Sequence, residues 1–381
     1  MAAIAVVWLL LVGGTLLARP LLPVDETRYV GVAWEMWARG DFLVPYLNGQ
    51  AYSHKPPLLF WAMHAGWLLG GVTETWARLV SPLFALGTLA ATAALGRRLW
   101  PQRPAVAGTA PWMLLGCLLY ALFTALTMFD TAVSFFVTAG LLAIVQVART
   151  GAPAGWLGLG LALGGGLLAK GPVVLLFTLP AALAAPWWAD GPRSWRRWYA
   201  GLAGAVVLGI LIALAWAVPA GLRGGEAYRT AILWSQTTSR LTESAAHRHP
   251  VWWYLAVLPP SLLPWVVWRP LGRALLALRR APADPGTRLL AAWIAPALLG
   301  LSVISGKQPH YLLPLMPALA LLGARALAAG PRPRGRWEGA LVPGLVLAAG
   351  LLLLAAPWIP AARAWSGTAL TLGGLAVVGV G

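Results

Sequence analysis

The chain has 381 residues, of which 10% are charged and 59% apolar, with a formal net charge of +17 and a mean hydropathy of +0.73. Soluble domains are about one-quarter charged, so this composition excludes a water-soluble enzyme or binding module. It also argues against a nucleic-acid partner, because the basic residues are scattered singly between apolar runs instead of forming one face.

Apolar runs of about 20 residues recur along the sequence, the length a helix needs to cross a bilayer. No run alternates as a barrel strand would. Hydrocarbon forces backbone hydrogen bonds to close within each segment, so the expected class is all-α, a polytopic helical bundle forming a single domain. Twelve spans are predicted near residues 3–18, 76–96, 105–125, 132–148, 154–169, 173–188, 200–220, 251–268, 289–305, 311–328, 339–357 and 368 onward. Residues 1–18 lack a basic start and a good cleavage site, so they read as an anchor with the amino terminus inside. The sequence stops at GGLAVVGVG inside an apolar run, where a further carboxy-terminal part is expected.

With this alternation, loops on the cytoplasmic side carry a net charge of +13 and those on the outer side +4, as the positive-inside rule requires. Most of the 23 tryptophans flank apolar runs, where interface anchoring accounts for them. All three lysines (Lys55, Lys170, Lys307) and all five histidines (His54, His64, His247, His249, His310) fall on the outer face, which is therefore the candidate for chemistry. Its two long loops are residues 19–75 and 221–250.

The first loop holds Asp25, Glu26, Glu35 and Asp41. Over residues 25–39, Val30, Trp34 and Trp37 share one helical face and Asp25, Arg28, Val32 and Glu35 another, the pattern of a helix lying in the interface. Residues 56–71, between Pro-Pro and Gly-Gly, form a second. Asp25 after Pro23 suits either a helix N-cap or a catalytic carboxylate, and Asp130 at the outer start of a helix has the same two readings. Lys170, before Gly-Pro, is either a snorkelling lysine or a site cation.

In HRHPVWWY, His247, Arg248 and His249 suit a metal, a phosphate or merely a wet interface; two histidines one apart are weak evidence for zinc. Lys307, His310 and Tyr311 enter a Pro-containing helix, where ammonium and phenol suit a lipid phosphate. The lone Cys117 excludes a disulfide framework.

The ordered motifs DETRY, GD-x-x-x-P-x-x-NG-x-x-Y-x-x-KPPL, MFDT, AKGP, HR-x-P-x-WWY and KQPHYLLPLMP, between residues 25 and 317, resemble the GT-C class of membrane glycosyltransferases. The likeness is to the lipid A aminoarabinose transferase and protein O-mannosyltransferase family. It implies transfer of a sugar from a polyprenyl-phosphate donor, such as one built on undecaprenyl phosphate, to a lipid, protein or glycan acceptor on the periplasmic side of a bacterial inner membrane. Asp25 matches the principal catalytic acid, with Asp130 and Glu26 as further candidates. Lys55 and Tyr311 match carrier-phosphate positions, supported by Arg28, Lys170, Arg248 and Lys307. His247 matches a metal-associated histidine, but the family's acidic partner is His54 here, so a zinc site stays open and no cofactor is required.

Against this reading stand a transporter or flippase and a purely structural membrane subunit. Transporters put charge at the bilayer midplane and often carry repeats, whereas charges here sit at the outer ends of the spans.

Overall fold

The computed structural model describes residues 1–191, 194–232 and 248–330, with residues 335, 338 and 344. His247 and the spans expected at 339–357 and 368 onward lie outside the described residues.

The architecture is helical, as expected. Helices α1 (Ala2–Ala18), α2 (Asp25–Arg39) and α3 (Leu58–Gly70) are followed by α4 (Glu74–Leu99), α5 (Pro104–Leu115), α6 (Leu118–Thr124), α7 (Phe129–Thr150) and α8 (Ala154–Lys170). Next come α9 (Val173–Leu183), α10 (Ala185–Trp188), α11 (Trp195–Thr230), α12 (Trp253–Ser261), α13 (Arg269–Arg280), α14 (Pro285–Val303) and α15 (Met316–Ala329). Among the described residues, five stretches are long and apolar enough to cross a membrane: α4, α7, α11, α14 and Pro309–Ala329. The chain is thus a multi-pass membrane protein.

Several expected spans are broken. The run 105–125 is two helices, α5 and α6, bent by 70° at Gly116–Cys117. The indole of Trp265 wedges into this break and donates to the Met113 carbonyl at 2.8 Å, while the Leu118 amide donates to Leu263 at 2.9 Å, satisfying groups the bend frees. A Cβ at position 116 would lie 2.8 Å from that indole, so only glycine fits. The run 251–268 is the short α12 plus a 3-10 turn (Trp265–Val267), and 173–188 divides into α9 and α10. The run 311–328 is entered through a 3-10 segment, Pro309–Leu315, whose prolines withhold backbone donors. Conversely, α11 outruns its expected span at both ends, and Gly225 (φ 83°) interrupts it.

Hydrocarbon supplies no hydrophobic drive between helices, so close backbone approach must do the work. Helix α8 achieves it with glycine: a Cβ at Gly164 would meet Ile212 of α11 at 2.7 Å, and one at Gly165 would meet Phe136 of α7 at 2.3 Å. Helices α4 and α7 run parallel. Ser81 accepts from the Met128 amide at 2.9 Å at one end, and Arg98 donates to Gln146 at the other. Near that second end Asp284 caps α14 and gathers Trp100 and Arg325, with Trp100 Nε1 at 3.0 Å and Arg325 Nε at 2.9 Å.

The two helices expected in the first loop form where Pro and Gly bound them. The buried stripe of α2 is Glu26, Tyr29, Val32, Ala33 and Met36, while Trp34 is 56% exposed. The reason is tertiary: α3 packs on the Val32 side, and buried His64 donates from Nε2 to the Ala33 carbonyl at 2.9 Å. Burial pulls the His64 imidazole below its ordinary range, so it serves as a neutral strut. A small ribbon outside the all-α expectation, β1 (Tyr46–Leu47) and β2 (Gln50–Ala51), turns on Asn48-Gly49, both with positive φ. Asp41 and the following residues fix the loop to the bundle: Asp41 pairs with Arg223 at 2.9 Å, and Trp216 donates to the Leu43 carbonyl at 2.9 Å.

Candidate active site

One end of the bundle gathers charges from five separate parts of the chain. Asp25 opens α2 but does not cap it: the N-cap is Val24, which makes no side-chain cap bond. The Asp25 carboxylate instead pairs with Arg28, one turn on, and accepts from the Tyr29 hydroxyl at 3.2 Å. These are the i,i+3 and i,i+4 neighbours that a helix brings to one side. Burial first, then the Asp25 charge, pushes the Tyr29 phenol far above its ordinary range, so it remains a donor to Asp25. Asp25 is half-exposed and lines a cleft of about 210 Å³ with Leu22, Pro23, Phe123, Gln308 and His310.

Glu26 lines the same cleft but has a different environment. Its side chain is buried and ion-paired with Arg19; Oε2 accepts from the Leu22 amide at 2.9 Å and Oε1 from the Thr127 amide at 2.7 Å. Burial alone would raise its pKa, but Arg19 and the two amides outweigh that and hold it below the ordinary 4.5. The carboxylate thus sews the α1–α2 linker to the turn before α7. A group with a depressed folded pKa contributes stability above its unfolded value that is lost as pH falls through the folded value. Melting scans should therefore show an acid-sensitive transition below about pH 4.5 that Glu26→Gln abolishes, at a cost near neutral pH of about 3 kcal/mol.

Asp130, also read as a possible cap, is in the first turn of α7, but the N-cap is Met128. Its carboxylate is buried. Oδ1 accepts from Lys170 Nζ at 2.6 Å, and Oδ2 faces His310 Nε2 at 3.8 Å. Lys170 therefore does not snorkel: its side chain is 8% exposed, and its ammonium lies 4.4 Å from the centre of the Tyr311 ring. Lys55 approaches from the first loop, 6.0 Å from the Phe129 ring centre, close enough for its charge to act on both Asp130 and His310. Phe129 also packs edge-on against Tyr29, at 4.9 Å between ring centres, which joins this cluster to the Asp25 group.

The structure therefore brings together Asp25, Arg28, Lys55, Asp130, Lys170 and Tyr311. It does not bring Lys307 to them. That ammonium is buried and donates to the carbonyls of Ile304 at 2.6 Å and His249 at 2.9 Å, and burial lowers its pKa. Arg248 is exposed and forms a backbone bridge with Gly306, so these two residues join the HRHP segment to the start of the KQPHY motif. His54 is exposed beside Tyr52. Among the described residues, no three or more His, Cys, Asp or Glu side chains are grouped to hold a metal ion.

Two residues of the site carry no role in the sequence reading. Tyr29 was discoverable, being four residues after Asp25 on a helix. His310 was visible beside Tyr311, yet nothing local indicates that it faces both Asp130 and the Asp25 cleft.

The arrangement of helices defines a class of protein: a multi-pass membrane bundle with a charge-lined cleft at one end. It superposes on ArnT from Cupriavidus metallidurans bound to undecaprenyl phosphate with a TM-score of 0.77 and 23% identity, covering 99% of this chain and 74% of that one. Residues 54–217 match the family described as dolichyl-phosphate-mannose-protein mannosyltransferase. The chain is similar to the undecaprenyl phosphate-α-4-amino-4-deoxy-L-arabinose arabinosyl transferases of Erwinia tasmaniensis and Pseudomonas paraeruginosa. Identity is 31% over 357 residues (89% of this chain, 62% of the relative) for the first and 32% over 346 residues (85% and 60%) for the second. The chain thus spans about three-fifths of the length of these relatives.

Proposed function

We propose that this protein is a GT-C glycosyltransferase that moves a sugar from a polyprenyl-phosphate donor to an acceptor at the outer surface of a bacterial inner membrane. The reading includes about 12 spans with the site facing the periplasm. The observation that carries it is the half-exposed Asp25 carboxylate in a cleft beside Lys55, Lys170 and Tyr311. Cleaving a sugar–phosphate bond leaves its electron pair on the departing phosphate oxygen. Ammonium, guanidinium and phenol donors fixed in a water-poor site stabilise that charge. An acceptor hydroxyl attacks the anomeric carbon as the C–O bond to phosphate breaks, and its proton passes to Asp25. Attack opposite the phosphate inverts the anomeric centre. Asp130 holds Lys170 in position, and Glu26 anchors the cleft wall.

The names of the relatives make 4-amino-4-deoxy-L-arabinose the first sugar to test, and the motif resemblance makes lipid A the first acceptor, with protein or glycan hydroxyls as further ones. The flippase alternative is disfavoured because the charged groups of the site sit at helix ends, not at mid-span.

The purified protein in detergent should transfer the amino sugar from its undecaprenyl-phosphate carrier to lipid A. Lys55→Ala and Tyr311→Phe should each weaken donor use by about 10- to 100-fold, the worth of a hydrogen bond to a charged group. Donor kinetics unchanged in both variants would sink the phosphate assignment.

A further inference from the structure

We infer that His310 is a donor-sugar contact, the residue by which the site distinguishes a glycosylated carrier from the bare carrier phosphate. The inference rests on the transferase reading and adds a residue to it.

Among the polar side chains lining the cleft, Glu26 has both oxygens committed to Arg19, Leu22 and Thr127. Asp25, Gln308 and His310 are the others. His310 lines this cleft and also faces the buried charge cluster. Its ring is 4.9 Å from that of Tyr311 and 5.4 Å from that of Phe123, and its Nε2 faces Asp130. The order in space is therefore Lys170 and Tyr311, then His310, then the cleft with Asp25. A sugar phosphate has a matching order: with its phosphate at Lys170 and Tyr311 and the acceptor at Asp25, the sugar ring must lie beside His310.

The facing carboxylate favours the tautomer with its proton on Nε2, since a hydrogen there points toward negative charge. Nδ1 is then the acceptor that the ring offers to a sugar hydroxyl or amine. Phe123 and Tyr311 hold the imidazole plane, so the hydrogen bond needs little further ordering. A buried site that hydrogen-bonds a substrate group rejects analogues lacking it far more strongly than an apolar pocket does.

The test measures binding of two probes to the purified full chain: undecaprenyl phosphate, and the same lipid carrying 4-amino-4-deoxy-L-arabinose. His310→Phe keeps a ring between Phe123 and Tyr311 but removes both nitrogens. It should bind the bare carrier within about 2-fold of the unaltered protein and the glycosylated carrier at least about 10-fold more weakly. His310→Gln, which restores an acceptor, should recover part of that loss. Equal losses for both probes would mark His310 as structural and overturn the inference, and so would an unchanged preference between them. Should the unaltered protein bind neither probe, the transferase reading itself falls, an outcome distinct from either of these. Lys55→Ala serves as the contrast, because loss of a phosphate contact should weaken both probes alike.

Discussion

Replacing Asp25 with Asn is expected to reduce sugar transfer to a hydroxyl acceptor by about 10²- to 10⁴-fold, the usual contribution of a positioned general base. The substitution keeps an oxygen that can accept from Arg28 and Tyr29, so α2 and the cleft wall should survive, with the melting temperature little changed. The basicity of the carboxylate is what disappears. An ionised phosphate acceptor has no proton to give up, and there Asp25 would only orient the nucleophile, so the Asn variant should lose less with it. Single-turnover transfer to both acceptor types measures this difference directly. Undiminished transfer to a hydroxyl would remove Asp25 from the mechanism.

Why Asp25 was legible in the sequence and its neighbourhood only partly so follows from the range of the interactions involved. Helices α2 and α3 are bounded by Pro23, Gly40, the Pro56-Pro57 pair and the Gly70-Gly71 pair, all local signals. The break at Gly116 is set by Trp265, far away in sequence, and no window around residues 105–125 contains that information. The same holds for the two adjacent acids. Successive residues on a helix project about 100° apart, so Asp25 turns toward Arg28 and Tyr29 while Glu26 turns toward Arg19 and Thr127. The sequence shows an acidic pair, and only packing separates a site carboxylate from an anchor. Likewise, Asp130 and Lys170 each had a bland local reading, as a cap and a snorkelling lysine. Their 2.6 Å contact, across 40 residues of chain, replaces both readings with one ion pair.

That pair supports the second large prediction. Asp130 and Lys170 are both nearly dry, and the Coulomb attraction between them offsets a desolvation penalty that neither could bear alone. Removing one partner should therefore destabilise the protein by about 3–5 kcal/mol. Lys170→Met leaves a buried carboxylate with only His310 facing its other oxygen, and Asp130→Leu leaves a buried ammonium against the Tyr311 ring. Combining the two substitutions removes both charges and should restore most of the lost stability, since apolar replacement of a buried pair is often close to neutral. Transfer should not return with it. If Lys170 stabilises the departing phosphate, the double variant will fold well and remain inactive, whereas a purely structural pair would give recovery of stability and transfer together. A double-mutant cycle read by both melting temperature and donor turnover separates these outcomes, and recovered transfer in the double variant would confine Asp130 and Lys170 to holding the bundle together.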